Sequence, residues 1–281
     1  MGLMPGRGPA YSSGVTSVFS RLACALVSGW LLFAPPAESG LRYHAQVALP
    51  ADISVIVWVE GDRARLEIQA SNEPNLAAGT ALLTSDRGEN LVVLDTAKQE
   101  FFSLSRDVIT RFKQREADRR RVTCDPISSE KVAEDSGPAL AGFPTRHLRF
   151  HIRLATHQPT ASGELTTQID VFEHFWLTGQ IAQQNTDLAM LSDSSDTGVP
   201  ALDEFLRAQL RELRGFVLKR TLVLTIDDSR EHHRVVRNSY EVTELAVNDS
   251  PAALFEVPAN FHLRVPPATQ PAPPSDSSPR P

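Results

Sequence analysis

Residues 53–68 read ISVIVWVEGDRARLEI, and this stretch decides the fold class. Its first half, residues 53–59, is rich in β-branched side chains, which favour an extended strand. Gly61 and Asp62 then supply a turn, and the returning residues 63–68 alternate charged with apolar side chains. Strand, tight turn and alternating strand together predict a β-hairpin with one apolar and one charged face.

Short strands separated by turns recur along the chain and predict an antiparallel meander instead of alternating strands and helices. Further strands are predicted over residues 43–49, 82–84, 91–94, 101–104, 143–154, 166–177, 216–226 and 235–245. One helix is predicted over residues 106–121, capped by Ser105, and another from Pro200 to a stop at Gly215. The polar stretch 125–140 predicts a loop. The sequence therefore predicts an α+β protein dominated by β-structure.

Several of the predicted strands are apolar on both faces. Val55 and Val57 alternate with Ile56 and Trp58, and residues 91–94 are apolar throughout. A sheet with one face in solvent alternates apolar and polar side chains, so these strands need cover on both sides or line an apolar cavity. The two predicted helices are the obvious cover.

The N-terminus has the three parts of a secretory signal. Arg7 and Arg21 precede the apolar run LACALVSGWLLFA at residues 22–34, and small residues with prolines follow it. The run is too short to span a bilayer, which needs about 20 residues. We predict export to the periplasm or cell envelope, with cleavage after Ser39 or, as the alternative, after Ala37.

Composition and cysteine content narrow the class of protein further. The 281 residues carry a formal net charge of −6, which disfavours a nucleic-acid-binding protein. Cys24 falls in the signal, so the exported chain keeps only Cys124 and no intramolecular disulfide is expected. The predicted organisation is a signal at 1–39, one domain at 40–265 and a disordered tail, rich in proline and serine, at 266–281.

The order of the elements resembles a known group of proteins. Four sequence motifs mark this order along the chain: VWVEGDRARLEI, LLTSDRGENLVVLD, AGFPTRHLRF, and YEVTEL followed by FEVPANF. Over nearly all of residues 41–265, the chain resembles uncharacterised bacterial envelope families related to the lipoprotein carrier LolA. The resemblance implies a strongly curved antiparallel sheet, an unclosed half-barrel, with two helices covering its concave face. It also implies a cavity for acyl chains or another lipophile, and no catalytic residues.

Seven side chains are candidates for contacting such a ligand. The apolar candidates for lining a pocket are Trp58, Leu94, Phe150, Phe172 and Trp176. Arg149 and Arg153 share one face of the 143–154 strand and are candidates for holding an anionic headgroup. The alternative is that the apolar residues belong to the core and that the arginines pair with acids on a neighbouring strand.

Catalytic and metal-binding motifs receive little support. Residues 128–131, SSEK, match the S-x-x-K signature of penicillin-binding enzymes, but its companion motifs S-D-N and K-T-G do not occur in the sequence. His147 and His151 are four residues apart on a strand, about 13 Å, which is too far to share one metal ion. We therefore expect no catalytic residue, metal or cofactor.

Two functions follow from these expectations. The first is a non-enzymatic envelope protein that binds a lipid, an acyl chain or a lipidated partner in an apolar cavity. The alternative is a structural or sensory module of the envelope that contacts other proteins through its surface and has no small-molecule ligand. A hydrolase acting through Ser128 is the least supported class.

Overall fold

The computed structural model describes residues 40–49, 51–73, 76–181, 197–247 and 249–264. The predicted signal at 1–39 and the predicted tail at 266–281 lie outside these residues. The first six strands are β1 (Leu41–Leu49), β2 (Ala51–Glu60), β3 (Arg63–Ser71), β4 (Thr80–Thr84), β5 (Asn90–Asp95) and β6 (Glu100–Ser105). Helix α1 (Arg106–Arg120) then leads to β7 (Thr123–Cys124), β8 (Ser128–Leu140), β9 (Phe143–Thr160) and β10 (Gly163–Thr178). Helix α2 (Pro200–Glu212), β11 (Phe216–Asp228), β12 (His233–Val247), a 3-10 helix (Ala252–Phe255) and β13 (His262–Leu263) complete the described elements.

All thirteen described strands join in one sheet, in the order β13-β6-β5-β4-β3-β2-β1-β12-β11-β10-β9-β7, with β8 also on β9. Every pair is antiparallel except β13 with β6. The two halves of the chain meet where β1 pairs with β12, for example at Val47 and Tyr240. The predicted β-dominated α+β architecture is confirmed.

The length of α1 requires the sheet to curve. Ten strand-to-strand steps separate β6 from β7 in the sheet, about 48 Å if the sheet were flat. The 15 residues of α1 and two connecting residues join these strands over about 30 Å. The sheet is therefore a curved, unclosed half-barrel whose open side α1 spans. We call the concave side of the sheet the inner face and the convex side the outer face.

The inner face carries the main apolar core. Alternate residues of each long strand point to it, such as Val55, Val57 and Val59 of β2, all at most 1% exposed. Tyr43 and Phe216 meet there edge to face, with ring centroids 5.3 Å apart. Leu202 and Phe205 of helix α2 are half-buried and pack against the same cluster.

The outer face of β4–β6 is covered by the C-terminal segment of the described chain. Leu83 and Leu94 form a second buried cluster, against which Val257 and Phe261 pack. The Arg65 guanidinium ties the same segment down by donating to the carbonyl oxygen of Leu254 at 3.1 Å. The apolar character of residues 91–94 on both faces thus reflects cover from two sides.

The predicted loop at 125–140 is wrong, because residues 128–140 form the edge strand β8. Most of its side chains are exposed on both faces, as its polar composition requires. Charged residues are typical of sheet edges, where they disfavour pairing with further strands. The register shifts between Lys131 and Ala133 and again between Gly137 and Leu140. A polar edge strand is held mainly by backbone hydrogen bonds to β9, so it lacks the apolar alternation that identifies a strand in sequence.

The two helices end close to where the sequence predicts. Ser105 has the extended conformation of a capping residue, but its side chain makes no capping hydrogen bond. Gly215 has φ +114°, and a Cβ atom there would lie 2.6 Å from the carbonyl oxygen of Thr178, so both conformation and space require glycine. Within the described residues, neither helix has the length and apolar character needed to cross a bilayer.

Candidate functional site

An incompletely buried apolar strip on the inner face is the best candidate for a binding site. It lies where β9–β12 approach their ends, beyond the fully buried part of the core. The register places side by side Leu154, Ile169 and Ile226 in one row and Ile152, Val171, Leu224 and Val236 in the next. Ile169, Leu224 and Ile226 are only half-buried. This part of the concave surface therefore retains exposed apolar area next to a closed core.

A buried charged cluster lies in the middle of the same face. The Glu173 side chain is 4% exposed and accepts a hydrogen bond from Arg220 Nε at 2.6 Å. Gln209 of α2 donates from Nε2 to the other carboxylate oxygen at 3.1 Å. The Arg220 guanidinium also lies 5.6 Å from the centre of the Phe175 ring. The cluster thus fixes α2 to the sheet and balances its own charge within the apolar surface.

An open depression of about 460 Å³ lies between α2 and the residues that follow β7. Its lining consists of Cys124, Asp125, Pro126, Ile127, Ala201, Glu204 and Phe205. Cys124 pairs with Thr156 in the inner-facing phase of β9, and its thiol is half-buried. Burial raises the pKa of this thiol, and the neighbouring Asp125 carboxylate raises it further, so the thiol is a weak nucleophile.

The seven residues predicted from sequence do not form one site. Phe150 lies in the inner core, 5% exposed and edge to face with Phe175. Trp58 lies on the outer face of β2, in the phase opposite to Val57, and Leu94 is fully buried in the second cluster. The other four lie on the outer face of β9 and β10: Arg149, Arg153, Phe172 and Trp176. Six of the seven therefore point away from the concave face.

The outer-face residues of β9 and β10 do form a cluster of their own. The rings of His147 and Trp176 stack at 4.3 Å, and those of His151 and Phe172 stack at 4.2 Å. His147 Nε2 lies 3.1 Å from Nδ1 of His174. Phe172 remains 45% exposed. We call these five residues the outer aromatic cluster.

Acidic side chains pair with the basic residues around this cluster. Arg149 donates to Asp135 at 2.8 Å, and His151 Nε2 lies 2.8 Å from Asp170. Lys219 lies over the Trp176 ring at 5.7 Å and bonds Glu241 at 2.6 Å. The bond from Arg149 matches the alternative that this arginine pairs with acids of a neighbouring strand.

Desolvation lowers the pKa of His174, and electrostatic repulsion from His147 and Arg149 lowers it further. His157 behaves in the opposite way, because hydrogen bonds and charge from Asp125 and Glu164 raise its pKa. A histidine with a lowered pKa contributes most to stability above about pH 6.5, and its contribution falls as the pH drops toward its folded-state pKa.

We therefore expect His174 to have a lower pKa than His157 when the ring protons of both histidines are followed by NMR during a pH titration. Replacing the charged neighbour, Arg149→Gln, should move the pKa of His174 part of the way back up. Arg153→Gln, four residues further along the same face, is the control and should leave it nearly unchanged. Equal movement in both variants would show that Arg149 is not the cause.

The described residues contain no group of three or more side chains suited to hold a metal ion. Ser128 and Lys131 lie three residues apart on β8, about 10 Å along the strand, so the lysine is badly placed to activate the serine. Lys131 instead bonds Glu134 at 2.7 Å. The S-x-x-K match therefore gains no geometric support.

The sequence carried only part of the signal for the inner-face site. Glu173 occupies an apolar phase between Val171 and Phe175, and a charged residue in such a position requires a buried partner. The partner, Arg220, is likewise a charged residue in an apolar phase, between Leu218 and Leu222, but only the register of β10 with β11 shows that it lies beside Glu173. Gln209 lies on a helix, and its position over Glu173 depends on tertiary packing alone.

No protein-family model matches the chain, and no curated protein matches it either. A solved structure from Thermus thermophilus, described as an uncharacterized conserved protein, aligns with 8% sequence identity. The alignment covers 90% of this chain and 99% of that chain, with a TM-score of 0.34. That likeness is too low to support an inference about function. Fold and site together define a curved-sheet protein with an apolar concave face.

Proposed function

We propose that this protein is a non-enzymatic, exported envelope protein that binds a lipophile on the inner face of its sheet. The observation that carries the proposal is the half-buried apolar strip formed by Ile169, Leu224 and Ile226 on the concave face. Surfaces that take lipophiles are concave and mainly apolar, with few polar contacts. The ligand class is an acyl chain, either free or carried by a lipidated partner.

The energetics of an acyl chain suit this surface. Each methylene group removed from water contributes about 0.8 kcal/mol, so a chain lying along the strip needs few polar contacts for useful affinity. The charged cluster does not oppose it, because Glu173 and Arg220 neutralise each other. Phe150, at the buried end of the face, is the one sequence-predicted residue positioned to limit how deeply a chain enters.

The location and the resemblance to LolA-related families belong to the same proposal. The N-terminal apolar run at residues 22–34 supports export, and an exported half-barrel offers a protected route for a lipophile between membranes. The proposal assigns no catalytic residue and no cofactor.

The outer aromatic cluster favours a second function, a structural or sensory module that binds another protein. Phe172 is 45% exposed beside stacked rings, and aromatic residues are enriched at interfaces between proteins. In this alternative the inner face is only a scaffold. Phe172→Ala would then abolish capture of the partner and leave lipophile binding unchanged.

Two adjacent residues of β11 provide a matched test of the first function. Leu224 points to the inner face and Val223 to the outer face, and both are half-buried. A carboxylate at the inner position should expel an acyl chain, because burying a charge against apolar surface is costly. We expect Leu224→Glu to weaken binding of dansylundecanoic acid about tenfold or more, equivalent to about 1.4 kcal/mol, and Val223→Glu to change it little.

Fluorescence titration gives both affinities, and thermal unfolding shows whether each variant remains folded. Native mass spectrometry of the protein purified from its own host then identifies the bound mass. Equal affinity for the probe in the two variants, or an unliganded native protein that does not take up the probe, would reject the proposal.

A further inference from the structure

Helix α1 carries a continuous exposed stripe on the side away from the protein. Its members are Val108, Arg111, Phe112, Arg115 and Arg119. Their spacing of three and four residues places them on one face of the helix, one above the other. Ala117, the buried residue of α1, lies on the opposite face. We call these five residues the α1 stripe.

The apolar members of the stripe are unusually exposed. Phe112 is 66% exposed and Val108 is 57% exposed, the former more than any other large hydrophobic residue in the described part of the chain. On the inward side of the helix, the Gly198 backbone packs closely against the backbone of Lys113. A Cβ atom at Gly198 would lie 2.4 Å from the carbonyl carbon of Lys113. The stripe is therefore a displayed surface of a helix held in place from behind.

The charge of α1 opposes that of the whole chain. The helix contains six basic and three acidic residues, a net charge of +3, while the chain has a formal net charge of −6. Asp107 pairs with Arg111 at 2.5 Å and Glu116 with Arg119 at 2.7 Å, both along the helix. The excess positive charge is thus concentrated on the helix that spans the open side of the half-barrel.

We propose that the α1 stripe docks on an anionic lipid surface, with Phe112 and Val108 inserted among the headgroups. Arginine side chains beside an apolar residue extend their charged ends toward phosphate groups while their stems cover apolar area. Interfacial helices combine these two contributions, apolar insertion and attraction to anionic lipid. The proposal concerns the outside of α1 and does not depend on a lipophile being bound at the inner face.

Vesicle co-sedimentation tests the proposal, with vesicles of phosphatidylcholine alone and with phosphatidylglycerol added. The protein is used as purified, with its N-terminus read by mass spectrometry, and all variants share that N-terminus. We expect binding to the anionic vesicles that weakens at high salt. Each arginine near an anionic surface contributes about fivefold, so Arg111→Gln with Arg115→Gln should weaken binding about 25-fold. Val108→Ser with Phe112→Ser should also weaken it, by about tenfold.

Matched controls come from exposed residues of β12, namely Val235→Ser and Arg237→Gln, which should leave vesicle binding unchanged. A Phe112→Trp variant should show emission at shorter wavelength with the anionic vesicles, because its ring enters a less polar environment. Vesicles that do not bind the protein, as expected if the stripe contacts an acidic protein instead, would overturn the proposal. So would equal losses in the stripe and control variants. Neither result bears on the fatty-acid probe, whose titration contains no vesicles.

Discussion

Arg220→Met is expected to destabilise the fold by about 3–5 kcal/mol, because it leaves the Glu173 carboxylate buried without its counter-charge. Glu173 is 4% exposed, and the guanidinium nitrogen of Arg220 lies 2.6 Å from its oxygen. Gln209 would remain as a donor at 3.1 Å, but a neutral amide does not replace a cation. Urea unfolding followed by circular dichroism measures the difference.

The adjacent residue offers a close control. Lys219 bonds Glu241 at the same distance of 2.6 Å, but it points to the outer face, and the two side chains are 30% and 41% exposed. Lys219→Met should therefore cost less than about 1 kcal/mol. The double variant Glu173→Leu with Arg220→Met should recover much of the loss, because an apolar pair suits a buried site. Similar costs for Arg220→Met and Lys219→Met would show that burial does not strengthen the inner pair.

Whether the sequence could predict a strand depended on how exposed that strand is in the fold. The β-branched run of β2, the turn at Gly61 and the charged–apolar alternation of residues 63–68 together indicate a hairpin, so β2 and β3 were predictable from local pattern. Strand β8 was not, because an exposed edge strand needs no apolar phase and is held by the backbone of β9. Pattern alone also could not assign the faces of different strands to one side of a sheet. That requires the register, which places Trp176 opposite His147 on the outer face and leaves Phe150 on the inner one.

The two-sided apolar strands illustrate a further limit. Their composition correctly indicated that both faces need protection, but cover and cavity give the same sequence pattern. For residues 91–94 the outer cover is the segment from Leu254 to Phe261, which no local pattern links to β5. The α1 stripe was missed for a related reason. Its apolar and basic residues share one face, so the helix lacks the contrast between faces by which an amphipathic helix is recognised.

Leu94→Ala is the prediction that separates a core residue from a ligand contact. Leu94 has no exposed surface and packs in a small cluster with Ala81 and Leu83, covered by Val257 and Phe261. Truncating a fully buried leucine removes its transfer free energy and leaves a cavity, which together cost about 2–5 kcal/mol. A small cluster closed by one short segment can collapse only if that segment shifts, so we expect a cost in the upper half of this range.

Unfolding free energy and probe affinity are measured on the same variant. Leu94→Ala should lower stability strongly and leave the affinity for dansylundecanoic acid unchanged, since Leu94 lies on the outer face. Val132→Ala is the control for truncating an apolar side chain at an exposed site, because Val132 is 54% exposed and its truncation should cost less than about 0.5 kcal/mol. If Leu94→Ala remained stable but no longer bound the probe, Leu94 would be a ligand contact. This result would also mean that the C-terminal segment is a movable cover over a second apolar pocket, because a residue sealed beneath a fixed segment cannot contact a ligand.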